Sequence, residues 1–117
     1  MTTNHPSGIA AEELAARYLT DRGLRVVARN FRCRFGEVDL IMQDGEVLVF
    51  VEVRLRRSER FGGALASITH AKQRKLVATA RFYLGGLRHV PSCRFDAVVL
   101  DALDAERIEW LRDIIAE

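Results

Sequence analysis

The spacing of apolar residues changes several times along the chain, and each change marks an element. Ile9, Leu14, Ala15, Tyr18 and Leu19 recur at helical spacing and predict a first helix from about Gly8 to Arg22. Ser7 is placed to cap its start, and Gly23 to end it in a left-handed turn. Leu24 to Asn30, with Val26 and Val27, reads as a strand, and Glu37 to Gln43 alternates as a second. Asp44-Gly45 is a strong hairpin signal. The third strand follows from Glu46 to Arg54, and its run of Val47, Leu48, Val49, Phe50, Val51 and Val53 predicts burial on most of both faces. Leu55 to Gly63, charged and ending in glycine, reads as a loop. A second helix is expected from about Thr69 to Leu84, with Leu76, Val77, Ala80 and Tyr83 or Leu84 as its apolar stripe and Gly85-Gly86 as its stop. Phe95 to Leu100 predicts a fourth strand, and Arg107 to Trp110 a short fifth.

The predicted order is α-β-β-β-α-β-(β), in one domain of 117 residues. The second helix is long enough to carry the chain across to a parallel fourth strand. A mixed sheet with helices packed on it follows, hence an α/β fold.

The hairpin places chemistry. If Asp44-Gly45 is a two-residue turn, Gln43 pairs with Glu46, Phe50 lies opposite Asp39, and Glu52 lies opposite Glu37 and diagonal to Asp39. Side chains at alternate positions share a face, so Glu37, Asp39, Glu52 and Arg54 project together, away from a core face of Val38, Leu40, Met42, Val49, Val51 and Val53. Like charges facing each other on a sheet destabilise it. Such a cluster calls either for arginine partners or for a hard divalent cation, Mg²⁺ or Mn²⁺.

Composition excludes other classes. With 49% hydrophobic and 29% charged residues the chain is globular rather than disordered. Cys33 and Cys93 show no metal-ligand spacing and suit a reduced, cytoplasmic protein, each expected buried or half-buried at a strand end. His5, His70 and His89 likewise lack ligand spacing; His70 is expected at a helix N-terminus and the other two in loops. No apolar run is long enough to span a membrane, and Met1 to Ser7 does not read as a secretory signal.

The net charge of +2 hides an uneven distribution. Residues 17–34 hold six Arg and one Asp, and residues 52–94 hold eight Arg, two Lys and two Glu. Residues 35–51, which contain the hairpin, hold four acids and no basic residue. Cations flanking carboxylates are the layout of a phosphodiester site, in which the cations hold the backbone and the acids hold a metal. Arg32, Arg34, Arg56, Arg57, Arg60, Lys72, Arg74 and Lys75 are the candidate phosphate contacts, with Lys72 first on the second helix. The aromatics offer little for stacking: Phe31, Phe35 and Phe61 lie near loops, and Phe50, Phe82 and Phe95 are expected in the core.

"GEVDLIM" at Gly36–Met42 followed by "VLVFVEVR" at Val47–Arg54 resembles the D…E-x-K core of the restriction-endonuclease-like PD-(D/E)xK nucleases. The closer similarity is to the small bacterial YraN-type family. It runs through "RNFRCRFGEVDLI" at Arg29–Ile41, "FVEVRLR" at Phe50–Arg56, "FGGALASITHAKQRKL" at Phe61–Leu76 and "CRFDAVVL" at Cys93–Leu100. The resemblance implies a restriction-endonuclease-like α/β fold and a Mg²⁺- or Mn²⁺-dependent endonuclease acting on DNA, with RNA still open. Relatives among the Holliday-junction resolvases point to branched substrates. By position, Asp39 and Glu52 would ligate the metal, Glu12 would be the extra helix carboxylate of the resolvases, and Glu37 would bind the metal through water or anchor Arg32 or Arg34. Arg54 stands where the superfamily usually carries lysine. It forks well onto phosphate oxygens and can steady a transition state, but it cannot act as a general base. Activation of the attacking water would then fall to the cation.

Two other classes remain. One is a nucleic-acid-binding module with weakened chemistry. The other is an interaction protein using the acidic end, Asp96 to Glu117, with Trp110, Leu111, Ile114 and Ile115, unless that tail closes its own core. Cutting both strands of a junction would call for a homodimer, which no sequence feature marks.

Overall fold

The computed structural model describes residues 8–56, 68–101 and 104–115. The order is α1 (Gly8–Asp21), β1 (Arg25–Cys33), β2 (Gly36–Asp44), β3 (Val47–Arg56), α2 (His70–Gly85), β4 (Ser92–Asp101) and β5 (Asp104–Leu111). The five strands form one sheet in the order β1-β2-β3-β4-β5. Only β3 and β4 are parallel, and α2 lies in the connection between them. The molecule is therefore a mixed α/β fold. No helix among the described residues is long and apolar enough to cross a membrane.

The helix ends follow their sequences. Gly23 has φ +100°, and Gly23 N–H and Leu24 N–H donate to the carbonyls of Thr20 and Leu19, the pair of bonds that closes a Schellman turn. Thr69 caps α2 by accepting from Lys72 N–H at 3.3 Å. The Ser7 cap and the greater part of the Leu55–Gly63 loop lie outside the described residues, and β3 itself runs on to Arg56. The fifth strand, expected to be short, spans eight residues.

The sheet is buried on both faces, as the density of apolar residues in β3 requires. On one face Ala11, Ala15, Ala16 and Leu19 of α1 pack on Leu40, Met42, Val49, Val51, Val98 and Leu100. On the other, Leu76 and Ala80 of α2 pack with Ile41, Leu48, Phe50, Phe95 and Ala97. Ile9, expected on the apolar stripe of α1, is 84% exposed because it falls outside the Ala11-Ala15-Leu19 row that touches the sheet. Trp110, Leu111, Ile114 and Ile115 join these same clusters, so the C-terminal segment closes its own core. This removes the apolar basis for reading that segment as a partner surface.

Two features of the hairpin differ from expectation. The turn is Gly45-Glu46, with Gly45 at φ +61°, and Asp44 pairs with Val47. The register is therefore displaced by two residues: Phe50 faces Ile41, not Asp39. Continued by one residue past Leu40↔Val51, it sets Glu52 opposite Asp39 instead of Glu37. The strict alternation of β2 also breaks. Leu40 belongs to the cluster beneath α1 and Val38 to the cluster beneath α2. Across from this step, on β1, Asn30 has φ +52°.

Candidate active site at the open end of the hairpin

The β2–β3 ladder stops at Leu40↔Val51. One residue beyond, the Asp39 carboxylate accepts from the Val53 backbone N–H at 2.8 Å. A side chain thus satisfies a donor that a regular ladder would give to a carbonyl. This turns Asp39 toward β3, where its carboxyl and that of Glu52 act on each other.

Two hollows meet at this contact. One, of about 400 Å³, is lined by Gly8, Ala11 and Glu12 of α1 with Asp39, Val53, Arg54 and Leu55. The other, of about 170 Å³, is lined by Gly36, Glu37, Glu52 and Arg54 with Lys72, Lys75 and Leu76 of α2. Glu37, Glu52 and Arg54 share a hollow, as alternation predicts. Asp39 opens into the other one with Glu12, because the break beside Val38 turns it away.

The electrostatics are those of an unresolved concentration of negative charge. Burial pushes the Asp39 carboxyl up to about 7, and the neighbouring charges of Glu52, Glu12 and Glu37 add to the effect. Burial also raises Glu52, against the pull of the Arg54 and Lys72 charges. Arg54 Nη2 lies 3.1 Å from Glu52 Oε2, both side chains largely buried. That approach lacks hydrogen-bond geometry, and among the described residues the buried Arg54 Nε and Nη2 have no hydrogen-bond partner. Buried donors left unmade are expensive, and a guanidinium in this state is set to receive an anion.

The donor set fits a hard cation. Two adjacent carboxylates with raised proton affinity lose their mutual repulsion when an ion replaces the proton. Among the described residues no group of three or more His, Cys, Asp or Glu side chains is arranged to hold an ion. The close acids are Asp39 and Glu52, while Glu12 and Glu37 act on them through charge. Mg²⁺ commonly takes one or two carboxylates and keeps several waters, so the pair is a sufficient protein contribution.

The remaining candidates divide. Lys72 and Lys75 line the hollow. Arg32 pairs with Glu37 at 3.1 Å, the anchoring expected of that acid. Arg34 lies over the Phe35 ring at 5.0 Å. Arg56 points elsewhere: its Nη2 is 3.6 Å from Asp101, beside β5. Arg74 lines a separate groove on the far side of α2 with His70, Arg81 and Ile115. Arg57, Arg60, Phe61 and His5 lie outside the described residues. Cys33 is half-buried, but Cys93, expected to be at least half-buried, is exposed, and the two are not joined in a disulfide.

Two positions escaped the sequence reading. Gly36 has φ +149°, and a Cβ there would stand 3.1 Å from Thr79 Oγ1, so the hairpin base sits against α2 only because this residue is glycine. Phe82, expected in the core, is 50% exposed and 6.0 Å from Phe35 between ring centroids. The available signal was the row Lys72, Lys75, Thr79, Phe82, which continues one helix face past the basic pair.

Residues 11–100 match the profile of a family described as Uncharacterised protein family UPF0102. The chain is 56% identical over 106 residues to a UPF0102 protein of Nitrosospira multiformis, covering 91% of this chain and 89% of that one. It is 55% identical over 106 residues to one of Methylobacillus flagellatus, covering 91% and 93%. It is 49% identical over 117 residues to one of Nitrosomonas europaea, covering 100% and 99%. The matched span contains every residue that lines the second hollow, and Glu12 and Asp39 of the first.

Proposed function

The chain belongs to the UPF0102 family, and with its acid pair and basic rim as support we propose that it is a divalent-metal-dependent nuclease. Its fold is read as restriction-endonuclease-like, and its substrate as DNA with branched or junction character. The observation that carries this is one contact. The neighbouring Asp39 and Glu52 carboxyls, both held above their ordinary pKa by burial, adjoin a buried guanidinium, Arg54, whose Nε and Nη2 make no hydrogen bond among the described residues.

A Mg²⁺ or Mn²⁺ ion held by Asp39 and Glu52 would polarise the phosphodiester and activate water. The chain's own groups do the rest. Arg54 donates to the non-bridging phosphate oxygens, where negative charge grows as the phosphorus becomes five-coordinate. Lys72 and Lys75 draw the backbone into the hollow. Glu12 and Glu37 keep the local potential negative, which favours a cation over the proton that Asp39 otherwise retains.

A second reading, a nucleic-acid-binding module without turnover, is favoured by Arg54 itself. It already lies against Glu52 and takes no part in proton transfer.

The test is calorimetric titration with Mn²⁺ together with cleavage of junction, flap, single-stranded and duplex DNA. Wild type is expected to bind the ion and cut. Asp39→Asn and Glu52→Gln are expected to lose ion binding and at least about 100-fold in rate, as loss of a principal electrostatic contact does. Salt-sensitive binding without cleavage selects the second reading. Absence of both sinks the two together.

A further inference from the structure

An aromatic series runs from the core to the surface beside the acid pocket. Phe95 stacks on Phe50 at 5.5 Å, Phe50 meets Tyr83 edge-on at 6.1 Å, and Tyr83 meets Phe31 edge-on at 5.1 Å. Phe31 then touches Phe82 at 6.3 Å, and Phe82 touches Phe35 at 6.0 Å. The series begins at rings that are 4% and 1% exposed and ends at rings that are 50% and 41% exposed. The inner members hold the outer two in place. Large apolar side chains left adjacent and half in water, with a charged rim, mark a contact surface.

That rim is basic and leads to the pocket. Arg34 lies over Phe35, and Arg32 stands on the same hairpin. Along α2, Lys72, Lys75, Thr79 and Phe82 follow one another at spacings of three and four residues, so they share a face. From Lys75 to Phe82 is seven residues, about 10 Å of helix at about 1.5 Å per residue. That is about three nucleotides at a stacked rise of about 3.4 Å. The base of the hairpin touches the middle of this row, where Gly36 lies against Lys75 and Thr79.

We propose that Phe35 and Phe82 form a stacking platform for unpaired bases of a nucleic-acid strand whose backbone passes Lys75 and Lys72 into the Asp39–Glu52 pocket. This rests on the nuclease reading and names its substrate class as single-stranded segments. The bases of a duplex are already stacked on each other and cannot offer their faces to a protein ring. An unpaired base can, and aromatic side chains beside a cationic track are how single strands are held without regard to sequence. The basic rim favours a polyanion over an apolar protein partner or a second copy of this chain.

The experiment is fluorescence anisotropy of the full chain in EDTA, where no cutting occurs. The probes are short labelled DNA and RNA strands, the corresponding duplex, and an abasic strand of equal length. Phe82→Ala and Phe35→Ala are expected to weaken binding of both natural strands at least about five-fold. Duplex and abasic binding should change by less than about two-fold, and Phe82→Trp should retain wild-type affinity. Loss with DNA alone or RNA alone supports the platform and identifies the natural strand. Unchanged affinity, equal losses on duplex or abasic probes, or no strand binding by wild type would overturn it. So would sedimentation showing a wild-type dimer that Phe82→Ala converts to monomer. Ring-dependent binding without Mn²⁺ cleavage would refute the nuclease reading and leave the platform standing. Cleavage with ring-independent binding would do the reverse.

Discussion

The arginine–carboxylate groupings around Asp96 and around Asp39 and Glu52 are built on opposite terms. On β4, the fully buried Asp96 accepts from Arg94 Nε at 3.0 and 3.2 Å, Trp110 Nε1 at 3.0 Å and Asp113 N–H at 2.8 Å. Arg94 also donates to Asp44 at 3.0 Å. Burial works against the Arg94 charge, but its hydrogen bonds to Asp96 and Asp44 outweigh that and raise its pKa. Around Asp39 and Glu52 nothing closes in this way. Glu52 raises the proton affinity of Asp39, and Arg54, although 3.1 Å from Glu52, makes no hydrogen bond through Nε or Nη2 among the described residues. The first grouping ties β2, β4, β5 and the C-terminal turn together. The second leaves Asp39 relieved by a proton up to about pH 7, with Glu52 set against Arg54 at 3.1 Å. Carboxyls with raised pKa values gathered in a cleft beside an incompletely bonded guanidinium are what functional sites commonly show.

The largest effect is expected at the closed grouping. Asp96→Ala leaves Arg94 facing an empty site and should lower stability by about 3–5 kcal/mol in urea unfolding. A loss below about 1 kcal/mol would mean that the clasp is no more than a surface pair.

The open grouping should respond in the opposite direction. Asp39→Asn removes repulsion and desolvated charge, so in EDTA at pH 8 it should raise the melting temperature while abolishing Mn²⁺ binding. The pH dependence sharpens this. The folded chain holds a proton on Asp39 up to about pH 7, whereas the unfolded chain releases it near its ordinary value of 3.8. The resulting stability is fully present below about pH 4 and is lost as pH rises through about 7. Other carboxylates lower stability in acid, so the Asp39 contribution is best read as wild type minus Asp39→Asn between pH 5 and 8. Mn²⁺ should reduce that slope by replacing the proton.

The smallest effect belongs to exposed pairs. Arg29 and Glu13 lie 3.1 Å apart with both side chains about half in water. Arg29→Ala should change stability by less than about 0.5 kcal/mol, measured in the same urea series. A larger change would weaken the argument that burial separates the groupings.

Much of the fold was legible because short-range rules decide it. Helix stops at Gly23 and starts at Thr69, the dense β3 run and the parallel β4 all follow from residues close in sequence. The glycine turn was found, but Gly45-Glu46 rather than Asp44-Gly45 forms its centre, since one residue of turn phase moves the register by two. That displacement preserved the faces of Glu37, Glu52 and Arg54, because the strand period is two. It did not preserve their partners: the ladder ends at Leu40↔Val51, and Asp39 reaches β3 through its carboxylate at the Val53 N–H. The break between Val38 and Leu40 had no signal along the chain; it lies across from Asn30, whose φ is +52°.

By itself the sequence determined which elements form, in what order, and that three acids and an arginine gather at one hairpin flanked by basic segments. Those properties are local periodicities and counts of charge. The tertiary structure alone decided that Asp39 meets the charge of Glu52, that burial keeps a proton there near neutrality, that Arg54 is set against Glu52 at 3.1 Å, and that Phe82 faces water beside Phe35. Each of these depends on desolvation and pairing between residues far apart in the chain, so no window of sequence contains them.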